Sequence, residues 1–270
     1  MRKLRLELEY EGTRYHGWQL QPAAPTIQQV LEETLQKILG ESCRVLGAGR
    51  TDAGVHALGQ VAHFATTRSL DAKSLQKALN SLLPADISIK DAQDVPESFH
   101  ARRSALNKRY EYWIWDDSRS SVLHHRFCWH VRVPLDREGM RRAARHLTGE
   151  HDFSSFQGAG CESEGSPVRH VRLVEVECAK APLIRISVEG SSFLRHMVRV
   201  MTGTLAEVGL GRMDEKDIPG ILAARDRRLA GRTAPAKGLF LMWVDYGEAL
   251  EGGRGTGAQG RVSPPWLPTL

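Results

Sequence analysis

The 270-residue sequence contains few cysteines and no long apolar run. The four cysteines are Cys43, Cys128, Cys161 and Cys178. Because no two of them form a C-x-x-C pair, they argue against a zinc site or a disulfide framework and are typical of buried free thiols in a reducing compartment. No apolar stretch approaches the ~18 uninterrupted residues of a membrane span, and Met1 leads almost directly into a strand pattern. We therefore expect a soluble, cytoplasmic protein.

The charge balance is only mildly basic. Lysine and arginine number 37 against 32 acidic residues, and the sequence pI is about 9.1. This excess is compatible with an anionic partner such as nucleic acid, although it is too small to establish one. A chain of this length can bury roughly three-quarters of its unfolded surface, so a large core is possible.

The first half of the chain alternates strand and helix patterns. Residues 4–10 alternate apolar and charged side chains at period two, which predicts a strand with one buried face. Thr26-Ile27-Gln28-Gln29 has the form of a capping box that opens a helix, and Asp71 can cap a second helix. With strand patterns at 44–46, 59–66 and 87–89, the predicted order is βαββαβ.

The second half repeats this order without repeating the sequence. The predicted elements are a strand at 108–115, a helix at 136–147, strands at 171–178 and 183–189, a helix at 192–208 and a strand at 239–246. Two such split βαββαβ units are ferredoxin-like, and they often share one long antiparallel sheet with helices packed on it. We therefore predict an α+β fold with a first half at 1–105 and a second half at 106–246. The Gly- and Pro-rich residues 247–270 are predicted to form a flexible tail.

One segment, Gly49-Arg50-Thr51-Asp52-Ala53-Gly54-Val55-His56-Ala57, combines a carboxylate with a cation between two glycines. The glycines permit unusual backbone conformations, and the guanidinium of Arg50 favours the ionised carboxylate of Asp52. Asp52 would then act as a nucleophile or an anion, and not as an acid. The alternative is an ordinary turn in which Asp52 bonds its own backbone.

This segment resembles the signature of the tRNA pseudouridine synthase A family, and other motifs match the family in the same order. They are Tyr15-His16-Gly17-Trp18-Gln19, Phe99-His100-Ala101-Arg102, Lys108-Arg109-Tyr110-Glu111-Tyr112, Asp152-Phe153-Ser154-Ser155-Phe156, Phe193-Leu194-Arg195-His196-Met197-Val198-Arg199 and Ala234-Pro235-Ala236-Lys237-Gly238-Leu239. The resemblance implies isomerisation of uridine to pseudouridine at positions 38, 39 and 40 of the tRNA anticodon stem-loop. It also implies a homodimer and a cleft between the two halves.

The resemblance assigns three catalytic residues. Asp52 is the nucleophile, Tyr110 contacts the substrate, and Arg199 is the partner of the catalytic carboxylate. From the residues alone, Tyr110 could equally be a packing residue, since it shares a strand face with Tyr112, and Arg199 could lie on a solvated basic edge of its helix.

Four further residues are predicted to bind substrate. Arg50 is assigned to a substrate phosphate or the flipped nucleotide, and His56 belongs to the same motif. Arg102 and Arg109 lie in a stretch, residues 98–110, that contains basic side chains and no acid. Such a stretch favours contact with RNA phosphates.

Neither a metal nor a cofactor is expected. Asp52, His56 and His63 lack a further ligand at a defined spacing, and the Gly47–Asp52 stretch has no third glycine for dinucleotide binding. The reaction implied by the resemblance is redox-neutral and needs neither.

Two other functions stay open at this point. A non-catalytic RNA-binding module built from two RRM-like halves would not need Asp52. A nucleotide hydrolase acting through Asp52 and nearby histidines would depend on a metal.

Overall fold

The computed structural model describes residues 1–158, 160, 165–178 and 181–247, so the predicted tail lies outside the described residues except for Gly247. The described strands are β1 (Arg2–Tyr10), β2 (Leu46–Gly47), β3 (His56–Thr66), β4 (Ile87–Val95), β5 (Asn107–Asp116), β6 (Trp129–Val131), β7 (Gly149–Asp152), β8 (Val168–Cys178), β9 (Leu183–Gly190) and β10 (Leu239–Asp245). The described α-helices are α1 (Ile27–Leu39), α2 (Ala72–Leu82), α3 (Arg137–Arg145), α4 (Met197–Gly209) and α5 (Asp217–Ala224). The predicted α+β class is confirmed.

The chain divides into two compact units. The first unit comprises Met1–Leu106 and, among the described residues, 240–247; the second comprises Asn107–Leu239. The sequence predicts halves of 1–105 and 106–246, and so assigns the last strand to the second half. The structure groups residues 240–246 with the first unit instead, because β10 pairs with β3.

In the first unit the strands lie in the order β4-β1-β3-β10, and β2 pairs with β3. Strand β1 is antiparallel to both β3 and β4, as expected for a split βαββαβ unit. Strand β10 is parallel to β3, with Phe240 opposite His56. This parallel pair makes the sheet mixed, whereas the sequence predicts an antiparallel one.

Local sequence signals account for the elements of the first unit. The period-two pattern of β1 places Leu4, Leu6 and Leu8 in the core. The side chain of Thr26 accepts a hydrogen bond from the Gln29 N–H, and that of Asp71 accepts one from the Ser74 N–H, so both predicted helix caps are confirmed. Strand β4 continues to Val95, well beyond the predicted 87–89, because its polar residues pair with the backbone of β1.

In the second unit the strands lie in the order β5-β9-β8-β7, with antiparallel neighbours, and β6 is parallel to β5. Helix α3 packs against α4 and β8. Helix α4 begins at Met197, later than the predicted Ser192. The reason is His196, whose left-handed φ of 63° is incompatible with a right-handed helix, so the helix cannot extend towards the N-terminus beyond Met197.

Two cysteines are described with their side chains. Cys43 and Cys128 are buried free thiols, as predicted, and burial raises the pKa of Cys128 to about 12. Cys161 lies outside the described residues. None of the helices in the described part of the chain combines the length and the apolar character needed to cross a membrane.

Candidate active site

Asp52 lies in the loop between β2 and β3, and a second segment, residues 12–18, holds this loop on both sides. The Trp18 N–H donates to the carbonyl oxygen of Thr51 at 3.0 Å, and the Gly54 N–H donates to that of Tyr15 at 3.2 Å. Within the loop, the Val55 N–H donates to the carbonyl of Asp52 at 3.1 Å. The backbone is therefore fixed immediately before and two residues after the half-buried Asp52.

Two glycines allow the 12–18 segment to approach the Asp52 loop. Gly17 has a left-handed φ of 85°, and a Cβ there would meet the carbonyl oxygen of Thr51 and lie 3.0 Å from the carbonyl carbon of Asp52. A Cβ on Gly12 would overlap the carbonyl oxygen of Val55. This close backbone contact gives the Tyr15–Gln19 motif a role that the sequence did not reveal, which is to position the Asp52 loop.

Buried polar side chains hold the loop from the core side. The Tyr10 hydroxyl lies 2.9 Å from the Thr51 hydroxyl, and Gln60 Nε2 donates to the carbonyl oxygen of Gly49 at 3.0 Å. Burial raises the pKa of Tyr10 to about 12, so its hydroxyl stays protonated near neutral pH. Because these contacts are buried or part-buried, the residues that precede Asp52 have a defined conformation.

His56, predicted to bind substrate, is buried at the start of β3. Its Nδ1 accepts a hydrogen bond from the Gly12 N–H at 3.1 Å. In the neutral imidazole the ring proton is therefore on Nε2. The ring stacks on Phe240 with a centroid distance of 4.7 Å and an interplanar angle of 19°. These contacts position the segment at Gly12, while binding of substrate by His56 stays a prediction.

Arg50 is exposed on the same loop as Asp52. Its Nε donates to Gln19 Oε1 at 3.2 Å, so the guanidinium is oriented by the motif that also positions the loop. An exposed guanidinium can contact a phosphate, but this role stays a prediction.

Arg102 lies in a tight turn that His100 organises. His100 Nδ1 accepts hydrogen bonds from the N–H groups of Arg102 at 3.2 Å and Arg103 at 3.3 Å. Ser104 closes the turn: its N–H donates to the His100 carbonyl at 2.8 Å, and its Oγ accepts from the His100 N–H at 3.1 Å. Burial and the charge of Arg103 lower the pKa of His100, which keeps Nδ1 an acceptor. In the sequence His100 stands out only as part of a motif, and its position two residues before Arg102 is the signal that could indicate this role.

Tyr110 lies on β5 in the second unit, opposite Val188 of β9. It is buried, and its ring meets that of Phe193 edge to face, with 5.3 Å between centroids. Its neighbour on the same strand face, Tyr112, is fully buried and donates its hydroxyl hydrogen to the Pro235 carbonyl at 2.7 Å. The geometry is compatible with both packing and base contact, so the catalytic role of Tyr110 stays a prediction.

Arg199 lies on α4 and is held by the Ala234–Leu239 motif. Its Nε donates to the carbonyl of Ala234 at 2.8 Å, and its own carbonyl accepts from the Ala234 N–H at 3.0 Å. A Cβ on Gly203 would collide with the carbonyl oxygen of Arg232, so α4 and this chain segment touch backbone to backbone. Two of the family motifs thus act together to orient one arginine.

Arg109 is engaged within the second unit. Its guanidinium forms ion pairs with Glu111 at 3.2 Å and Glu189 at 2.6 Å, and donates to Ser187 Oγ at 2.9 Å. The side chain is 13% exposed. An RNA phosphate would have to compete with two carboxylates for Arg109, so Arg102 is better placed than Arg109 for the predicted contact.

No group of three or more His, Cys, Asp or Glu side chains in the described ranges is arranged to hold a metal ion.

The catalytic residues assigned by the resemblance lie in different units: Asp52 in the first, Tyr110 and Arg199 in the second.

The family model described as tRNA pseudouridine synthase matches residues 8–102 and 143–247. These ranges include the whole Asp52 loop, the segment that positions it, and Arg199. The chain belongs to the tRNA pseudouridine synthase family. The resemblance read from the motifs is therefore confirmed. Tyr110 lies between the two matched ranges.

Similar proteins in this family cover nearly the same length. The chain is 48% identical over 247 residues to the tRNA pseudouridine synthase A of Ruminiclostridium cellulolyticum, covering 91% of this chain and 100% of that protein. It is 49% identical over 247 residues to that of Geotalea daltonii, with the same coverage. It is 48% identical over 246 residues to that of Myxococcus xanthus, covering 91% of this chain and 92% of that protein.

Proposed function

We propose that this member of the tRNA pseudouridine synthase family isomerises uridine to pseudouridine in tRNA. The reaction breaks the N1–C1′ glycosidic bond, turns the base, and forms a C5–C1′ bond. The C5 proton is released and N1 gains a proton, so the exchange is redox-neutral. The observation that supports this function best is Asp52 itself, in the family's motif, on a loop whose backbone is held on both sides of the carboxylate.

We propose Asp52 as the nucleophile, because a positioned carboxylate can form a covalent adduct that divides a difficult reaction into two steps. The adduct could form at the ribose or the pyrimidine, or the carboxylate could act on a glycal intermediate. Tyr110 is proposed to stack on the base and to transfer a proton. Arg199 is proposed as the cationic partner of the Asp52 carboxylate.

Substrate binding must offset the unpairing of the target nucleotide, which costs a few kcal/mol. Arg50, His56, Arg102 and Arg109 are proposed to contribute, with the exposed Arg50 and Arg102 as the phosphate contacts. We further propose the anticodon stem-loop, positions 38, 39 and 40, as the target, a homodimer as the assembly and the cytoplasm as the location.

The test of the function is Asp52→Asn, which removes the nucleophile and almost no volume. We expect tritium release from C5-labelled tRNA to be lost while tRNA binding stays near normal. Asp71→Asn is the matched control in the same unit, because asparagine caps a helix about as well as aspartate and activity should be retained. Asp52→Asn activity within tenfold of wild type would falsify the assignment.

The same assay separates the other functions. A non-catalytic RNA-binding module would bind tRNA with no tritium release by the wild type. A metal-dependent hydrolase would release free base or nucleotide and respond to an added transition metal, measured with the RNA fold held constant. The target positions are tested by mapping pseudouridine in RNA from cells that lack this protein.

A further inference from the structure

The loop between β5 and β6, residues 117–128, presents two apolar side chains to solvent. Val122 and Leu123 at its tip are 81% and 83% exposed. Single exposed apolar residues are common on protein surfaces, but two adjacent ones at the tip of a loop form a small protruding apolar surface. We call this loop the β5–β6 loop.

The β5–β6 loop is held in one shape by its own contacts. The ring of His124 stacks on Trp115 with a centroid distance of 5.2 Å and an interplanar angle of 18°, and His124 Nδ1 lies 2.7 Å from the Ser121 hydroxyl. Trp115 Nε1 also donates to the carbonyl of Arg119 at 2.8 Å. Lys237 Nζ donates to the carbonyl of His125 at 2.7 Å. The base of the tip is therefore anchored, and Val122 and Leu123 project from an ordered support.

The charge around the tip is predominantly positive, and Asp117, at the start of the loop, is the one acidic residue of the β5–β6 loop. From residue 118 to residue 135 the chain carries three arginines and three histidines and no aspartate or glutamate. The arginines Arg119, Arg126 and Arg132 are exposed. A basic surface with a protruding apolar tip fits RNA, since cations contact phosphates while apolar side chains insert between bases or pack on unstacked ones. A second copy of this chain would bring the same cations towards each other if this loop met itself across a two-fold axis.

The position of the loop on β5 separates it from the proposed chemistry. Tyr110 lies six residues before Asp116, the last residue of β5, and a strand rises about 3.3 Å per residue, so the loop begins roughly 20 Å along the strand from Tyr110. His124, next to Leu123, stacks on Trp115, which lies five residues or roughly 16 Å along the strand from Tyr110, so the tip contacts a different part of the RNA from the isomerised nucleotide. It can affect recognition without touching the reacting atoms.

We propose that Val122 and Leu123 form an apolar wedge that packs against unstacked bases of the RNA substrate, away from the target uridine. This proposal rests on the proposed function, because it takes tRNA as the ligand. It adds a recognition surface, the β5–β6 loop, to the residues of the reaction itself.

The test is the double variant Val122→Ser with Leu123→Ser, compared with Leu229→Ser, which alters an exposed leucine elsewhere in the same unit. Equilibrium binding to tRNA should weaken by roughly tenfold in the double variant and not in the control. The salt slope of binding should be unchanged, because no cation is removed, whereas Arg119→Ala should flatten it by about 0.7 to 0.9. The single-turnover rate at saturating enzyme should equal that of the wild type.

A second readout reports the wedge directly. When 2-aminopurine replaces adenine at unpaired positions of the tRNA, wild-type binding should raise its fluorescence at one of them, and the double variant should not. Unchanged affinity together with unchanged fluorescence would overturn the proposal. So would a mass measurement showing that the double variant changes from an oligomer to a monomer, because the tip would then cover a second copy of the chain. Wild-type protein that releases no tritium, yet binds tRNA in a manner dependent on Val122 and Leu123, would refute the proposed isomerisation and support the wedge.

Discussion

Replacing Gly17 by alanine should destabilise the protein and also displace the Asp52 loop, so that the reaction slows. The added methyl group carries two separate costs at this position. The left-handed φ of 85° costs an L-residue about 1 to 2 kcal/mol. The collision of the new Cβ with the Thr51 carbonyl adds an overpacking cost of about 1 to 3 kcal/mol, because the contacted atom is backbone and cannot rotate away.

Gly40→Ala isolates the first cost. Gly40 also has a left-handed φ, 66°, but its nearest neighbour is Arg68 Nη2 at 3.6 Å, the end of a flexible side chain. Both variants should therefore be destabilised by the backbone cost, and only Gly17→Ala should be destabilised further, by about 1 to 3 kcal/mol. The measurement is the free energy of unfolding from urea titrations, with the slopes compared to confirm that the unfolded states are alike.

The functional consequence is measured on folded protein. The collision is relieved by movement of the Thr51–Asp52 peptide, and a displacement near 1 Å at a reacting group can lower the rate by about 100-fold. We expect single-turnover tritium release to fall by about that factor in Gly17→Ala and to stay near wild type in Gly40→Ala. Equal losses of stability and equal rates in the two variants would show that the 12–18 segment does not position Asp52.

Three further predictions concern other parts of the protein. Tyr110→Phe should bind tRNA normally and react about 10² to 10⁴ times more slowly if the hydroxyl transfers a proton. Tyr110→Leu should in addition lose ~1 to 3 kcal/mol of stacking on the base. Single-turnover rates and equilibrium binding, measured together, separate the two roles. Changing Arg102 and Arg103 together to alanine should flatten the plot of log K against log salt, by about 0.7 to 0.9 for each RNA phosphate that these arginines neutralise. Burial, more than the nearby charge of His100, lowers the pKa of His63 to about 4. As the pH falls, His63 is therefore protonated in the unfolded chain before it is protonated in the folded protein. The free energy of unfolding should decline from about pH 6.5 towards pH 4.

Each of these has an outcome that contradicts it. Full rate and affinity in both Tyr110 variants would make it a packing residue. An unchanged slope and affinity in the arginine variant would leave the 102–103 turn as solvated surface. For His63, the comparison is His63→Gln between pH 6.5 and pH 5, above the range where most carboxylates titrate; a decline as steep as that of the wild type would place its cause elsewhere.

Signals that act over a few residues predict much of the fold. The caps at Thr26 and Asp71 depend on a side chain and an N–H three residues apart, and the sequence contains all that is needed to recognise them. The same is true of the alternation in β1. The Asp52 motif likewise identifies the family, because nine consecutive residues carry it.

Contacts between distant residues have no such signal. The sequence places Arg109 in a basic stretch without acids and gives no sign that it pairs with Glu189, 80 residues away. The capping of the Arg102–Arg103 turn by His100 could be suspected from the motif, because a histidine just before a basic turn can accept backbone N–H groups. The support of the Asp52 loop by Gly17 could not be predicted from the sequence. Whether a Cβ fits at a glycine position depends on the backbone that packs against it, and that backbone comes from a distant part of the chain.

The parallel pairing of β10 with β3 sets the order in which the protein can be completed during synthesis. The ribosome makes the first 106 residues, then the whole second unit, and only afterwards the strand that joins the first sheet. At about 5 to 20 residues per second, the roughly 130 intervening residues take on the order of 7 to 25 seconds. For that time the nascent chain lacks the strand that pairs with His56 and Ala57 of β3, and His56, next to the Asp52 loop, lacks the Phe240 ring. An interrupted chain would therefore carry the whole Asp52 motif without the strand that completes its surroundings.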